Sequence, residues 1–187
     1  MYHPPYFFSN ARKTIPHSKT KRGKVLRTNR KSKSITLPTS INYSFVQKFN
    51  VPARKAYAWC TDYDPRDIYL MKINGERKIN KLNESTILLT DVYNSDNGKI
   101  SKRKVVRLNP AELSWTNTYI AGPKKYSQFL YKITPDGRNK SRLEFVGLQL
   151  EPREMSKEEA MLLARKVRAE DSQMWRHLAN AMEEELS

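Results

Sequence analysis

Alternation dominates the middle of this chain. Ile41, Tyr43, Phe45 and Phe49 recur in step with period two, so residues 41–49 predict a strand with one buried face. Val51-Pro52 ends that run, and proline suits the first turn of a helix. A short helix is expected over 53–61, with Ala56, Tyr57, Trp59 and Cys60 roughly on one face. Asp62-Tyr63-Asp64-Pro65 is turn chemistry leading into a second short helix over 66–71. Six strand-like runs follow, over 73–82, 85–93, 99–108, 112–121, 126–134 and 141–150. Asn83-Glu84, Asn94 to Gly98, Asn109-Pro110, Gly122-Pro123 and Pro135-Asp136-Gly137 separate them. Links this short require antiparallel neighbours.

The period changes at the C-terminus. Ser156 and Glu159 form an S-x-x-E capping box at the start of a long helix over 156–186. Ala160, Leu163, Ala164, Val167, Met174, Trp175, Leu178, Met182 and Leu186 follow three-and-four spacing. That makes one apolar stripe about 45 Å long at 1.5 Å per residue. A stripe of that length must be covered, and the antiparallel sheet is the large surface available.

The assembled order is strand, two short helices, six strands, long helix. It describes an α+β helix-grip fold, a seven-stranded antiparallel sheet curved around the C-terminal helix. On Phe49-Asn50-Val51-Pro52-Ala53, Ala56-Tyr57-Ala58-Trp59 and Thr61-Asp62, followed late in the chain by Glu170-Asp171-Ser172, Trp175 and Leu178, residues 41–186 resemble the START-like SRPBCC superfamily. That superfamily includes pollen allergens, polyketide cyclases and lipid-transfer domains. The resemblance implies a cavity between sheet and helix. The fold itself hosts many activities, so function has to be argued from the site.

Charge adds a second part to the picture. The chain has 187 residues and a formal net charge of +16. Residues 1–40 carry ten basic side chains (Arg12, Lys13, Lys19, Lys21, Arg22, Lys24, Arg27, Arg30, Lys31 and Lys33) and no acid. With little to bury and nothing to neutralise it, this segment predicts a largely extended arm, and residues 41–187 a folded body. Tyr2, Pro4, Pro5, Tyr6, Phe7 and Phe8 at its tip suit stacking on bases or filling an apolar crevice in a partner. A further basic group, Lys99, Lys102, Arg103, Lys104 and Arg107, is expected around one hairpin, with Lys124 and Lys125 at another turn. These either extend the arm's cationic surface or form a solvated strand face.

Cys60 is the only cysteine, which fits a reducing, cytoplasmic setting. The N-terminus lacks the pattern of a secretion signal, and no apolar run is long enough to span a bilayer.

Candidate chemistry is sparse. Tyr93, Trp115, Tyr119, Phe129, Tyr131 and Phe145 lie on strand faces that either line a cavity or fill a core. Asp171 and Trp175 fall on the helix stripe. A carboxylate there is either a general acid/base or ligand anchor, or a structural group bonded to a Tyr, Trp or Arg. His177 has no Cys or His at ligand spacing, and His3 and His17 lie in the arm. No nucleophile elbow, glycine-rich phosphate loop or metal-ligand cluster is present, so no metal, no cofactor and no enzymatic activity are expected from motifs.

Two functions remain. The arm, with Lys102, Arg103 and Lys104, points to a non-enzymatic RNA-binding protein associated with the ribosome, with ribosomal RNA and ribosomal proteins as partners. The body points instead to a carrier of a hydrophobic small molecule or lipid, or a polyketide-cyclase-like protein, with the arm as a localiser.

Overall fold

The computed structural model describes residues 37–71, 74–95 and 98–187. Arg12 to Lys33 and the aromatic tip of the expected arm lie outside the described residues. Strand β1 (Thr39–Phe49) leads to helices α1 (Ala53–Thr61) and α2 (Asp67–Leu70). Then come β2 (Gly75–Asn83), β3 (Thr86–Ser95), β4 (Gly98–Asn109), β5 (Ser114–Ala121), β6 (Gln128–Pro135) and β7 (Ser141–Glu151). Helix α3 (Lys157–Leu186) closes the chain. All seven strands form one antiparallel sheet in the order β1-β7-β6-β5-β4-β3-β2.

The hydrophobic alternation sets which face is which. Ile41, Tyr43, Phe45, Leu143, Phe145, Phe129, Tyr131, Ile133, Trp115, Val106, Ile87 and Leu89 are all buried on the inner face. Val167, Trp175, Leu178, Ala179 and Met182 of α3 meet them there, and the box at Ser156 fixes where the helix starts. The Ser156 hydroxyl accepts from the Glu159 amide at 3.2 Å, and the Glu159 carboxylate accepts from the Ser156 amide at 2.9 Å.

The elements follow the sequence pattern with end shifts of up to two residues, and three of these have a clear physical cause. Strand β1 starts at Thr39, inside the segment assigned to the arm, because Thr39 pairs with Glu151 and its hydroxyl bonds the Arg153 carbonyl and the Met155 amide. Strand β5 starts at Ser114 rather than near residue 112, because Pro110–Glu112 winds into a 3₁₀ turn that ends at left-handed Leu113. Strand β6 starts at Gln128 rather than near residue 126, because Tyr126 is also left-handed and its amide folds back onto the Tyr119 carbonyl.

Gly147 determines how Tyr43 lies. It pairs with Tyr43 on one side and Phe129 on the other. A Cβ at Gly147 would stand 2.8 Å from the Tyr43 ring, so the absent side chain is the space that the ring occupies. Gly147→Ala is expected to displace that ring and cost about 1–3 kcal/mol, measured by urea unfolding.

Candidate functional site

A cavity of about 280 Å³ opens between the inner sheet face and helices α1, α2 and α3. Its walls divide by strand. Trp115, Asn117 and Tyr119 of β5, Phe129 and Tyr131 of β6, and Asp171, Met174, Trp175 and Leu178 of α3 form one side. Arg77 of β2, Asp91 and Tyr93 of β3, and Lys102 and Lys104 of β4 form the other. Trp59, Cys60, Tyr63, Asp67, Ile68 and Met71, from α1, α2 and the residues flanking α2, close one end, and Lys124 reaches in from the β5–β6 turn.

The aromatic side is tightly built. Trp115 stacks on Tyr131 at 4.8 Å between ring centres and 3° between planes. Trp175 leans on both, at 6.3 and 5.8 Å. Tyr119 meets Phe129 edge-on at 5.5 Å.

The opposite side carries a buried ion cluster. The Arg77 side chain is only 3 % exposed; its Nε donates to Asp91 at 2.7 Å and a terminal nitrogen donates to Asp67 at 3.3 Å. Lys104 Nζ stands 3.5 Å from the second Asp91 oxygen. Burial would raise the Asp91 carboxyl, but Lys104 and Arg77 together outweigh it and hold it below its ordinary value. Burial pushes Lys104 down against the pull of Asp91. Asp67 is pushed up to about 6, chiefly by burial and with Arg77 only partly offsetting it.

That shift has a sign. The folded state holds the Asp67 proton more tightly than the unfolded chain, whose ordinary value is 3.8. Stability contributed by the protonated form is therefore present at low pH and lost as pH rises towards about 6. Asp67→Asn should gain melting temperature relative to the parent across that interval and hold the gain above it. A parallel pair of melting curves against pH would show Asp67 to be ionised at no cost.

Asp171 meets Tyr43, whose hydroxyl donates to its carboxylate at 2.5 Å. Burial and the Asp171 charge both raise the Tyr43 phenol, so it remains the donor. Asp171 thus lines the cavity and is also tied to β1. Three residues of the lining each carry a buried polar atom with no hydrogen-bond partner among the described residues: Trp175 Nε1, the Tyr63 hydroxyl and Asn117 Oδ1. The Asn117 amide nitrogen donates to Tyr131 at 3.3 Å, which leaves its oxygen unengaged. Orphaned groups of this kind are uncommon in a closed core.

Of the cavity residues expected from sequence, Tyr93, Trp115, Tyr119, Phe129, Tyr131, Asp171 and Trp175 are on the lining. Phe145 is not; it is buried beneath them, stacked on Phe45 at 4.5 Å. The grouping of Lys102, Arg103 and Lys104 as one cationic surface needs correcting, because consecutive strand residues face opposite ways. Lys104 is buried in the ion cluster, Lys102 lies at the cavity, and Arg103 alone is exposed on the outer face. Arg77, Asp67 and Asp91 were not singled out from the sequence. The series Ile87, Leu89, Asp91, Tyr93 carried the signal, since a carboxylate in step with buried leucine and isoleucine needs a buried cation.

No helix among the described residues is long and apolar enough to cross a membrane, and those residues contain no cluster of His, Cys, Asp or Glu able to hold a metal ion.

No family model matches the chain, and no curated protein matches it. Solved structures do. A protein of unknown function from Staphylococcus aureus superposes with a TM-score of 0.65 at 12 % identity, over 80 % of this chain and 97 % of that one. The Zhui aromatase/cyclase from Streptomyces sp. R1128 gives 0.60 at 9 % identity, over 79 % and 93 %. A START superfamily protein from Mycobacterium smegmatis gives 0.57 at 17 % identity, over 79 % and 99 %. The seven-stranded antiparallel sheet with its long C-terminal helix matches theirs: the chain has the helix-grip fold of the START-like SRPBCC proteins.

Proposed function

We infer that residues 41–187 bind a small, largely apolar molecule in the cavity between the sheet and α3, and that the basic segment before them serves as a localiser. The observation that carries this reading is the cavity itself, about 280 Å³ beside stacked aromatic walls, with Trp175, Asn117 and Tyr63 of its lining each carrying an unpaired polar atom. Aromatic rings give a flat ligand area to lie against, while a few fixed donors and acceptors orient it. The reading also agrees with an aromatase/cyclase among the structural neighbours. The RNA reading has no comparable support, and Lys104, one of its three residues on β4, is committed to Asp91 inside the body.

All three tryptophans of the chain line the cavity, so intrinsic fluorescence reports its occupancy. Titration with the neutral dye N-phenyl-1-naphthylamine should saturate at one equivalent, quenching the tryptophans while the dye brightens. Deleting residues 1–36, which stop short of β1, should leave that titration unchanged. A dye that never leaves water, with tryptophan emission unaltered, would overturn the reading.

A further inference from the structure

The charges around the cavity do not cancel evenly. Arg77 and Lys104 are matched by Asp67 and Asp91, each within ion-pair distance of its partner. Asp171 accepts from the neutral Tyr43 hydroxyl, and two further lysines exceed it in number. Lys102 and Lys124 both line the cavity, and neither has a carboxylate within ion-pair distance among the described residues.

Each of the two is held over an aromatic ring of the lining. Lys102 Nζ lies 4.7 Å from the centre of Tyr93, and Lys124 Nζ lies 5.5 Å from the centre of Phe129. Such contacts orient an ammonium group without neutralising it.

The backbone brings them to the same place. Gly122, at φ +92°, opens the turn that carries Lys124. A Cβ on it would fall 2.4 Å from the Ser101 carbonyl oxygen and 3.1 Å from the Lys102 Cα. The turn therefore lies against β4 at Lys102, an approach open only to glycine, and the lysines at both ends of that contact reach the cavity lining.

Resting on the ligand-binding reading above, we propose that the ligand is an amphipathic organic acid: a flat apolar body lies against Trp115 and Trp175, and its carboxylate is taken by Lys102 and Lys124. The paired cluster deeper in supplies no free cation for this task, because each of its nitrogens already faces an aspartate. A neutral ligand would leave both lysines without a carboxylate partner.

The test compares two probes of one shape on the full chain: 9-anthracenecarboxylic acid and its neutral carboxamide, each followed by tryptophan quenching. The acid is expected to bind at least about tenfold more tightly than the amide. Lys102→Gln with Lys124→Gln should bring that ratio close to unity while leaving the amide's affinity within about twofold. Lys81→Gln with Lys140→Gln removes the same charge from exposed sites and should leave the ratio unchanged, which separates local recognition from the general pull of a basic chain. Equal affinities in the parent would overturn the proposal. So would a preference that survives the Lys102/Lys124 change, or one that the exposed-site control abolishes equally. Amide binding with no preference for the acid leaves the ligand-binding reading standing and removes only this inference. If neither probe quenches the tryptophans, both fall.

Discussion

Arg77→Met should destabilise the protein by about 3–5 kcal/mol, more than any other single exchange in the cavity wall. The guanidinium is almost wholly buried and holds two carboxylates, at 2.7 Å to Asp91 and 3.3 Å to Asp67. Methionine fills a similar volume, so the loss is one of charge compensation rather than of packing. Asp67 then retains no cation within ion-pair distance among the described residues, and Asp91 retains only Lys104 at 3.5 Å. Urea unfolding measures the change, and a second variant separates its causes. If the penalty comes from stranded carboxylates, Arg77→Met with Asp67→Asn should recover part of it. A loss below about 1 kcal/mol would mean that the cluster is solvated and acts like a surface pair.

The second large effect should separate stability from binding. Asn117→Leu with Tyr131→Phe removes both partners of a buried hydrogen bond, together with the unengaged Asn117 oxygen. Replacing a buried polar pair by apolar groups of similar shape is close to neutral for folding. The double variant is therefore expected to unfold within about 1 kcal/mol of the parent. The cavity keeps its stacked wall but loses an acceptor, so affinity for a ligand that donates to Asn117 should fall at least about tenfold. Chemical unfolding and tryptophan quenching read the two quantities separately. Loss of stability with binding intact would assign the pair a structural role only.

Much of the fold was legible because its main signals are local. The alternation of Ile41, Tyr43 and Phe45, the proline at residue 52 and the Ser156–Glu159 box each specify an element within a few residues. The pairing of the first strand with the last was not local. It joins Thr39 to Glu151 and Phe49 to Ser141 across nearly the whole domain, and no nearby spacing records it. The aromatic lining was legible for the same reason as the strands were. Phe145 shows the limit of that reading: alternation gives its face, but how deep it lies depends on Phe45 stacking over it from β1.

The charged half of the site escaped for a different reason. Lys104 sits in a run of lysines and arginines that looks like a solvent-facing surface, and only its contact with Asp91 on the adjacent strand gives it an interior role. Composition weights such residues by number, whereas the strand's twofold alternation sends every second one inward. The same alternation placed Asp91 in step with Ile87 and Leu89, so the buried cluster was written in the sequence at a level that charge counting overlooks.

Native mass spectrometry of the full chain, isolated without denaturation, tests the central claim most directly. The expected result is a single small molecule at one equivalent that dissociates on unfolding, is lost in the Asn117→Leu/Tyr131→Phe variant and carries an acidic group. Bare protein at every condition, together with tryptophan emission that no aromatic probe can alter, would contradict it.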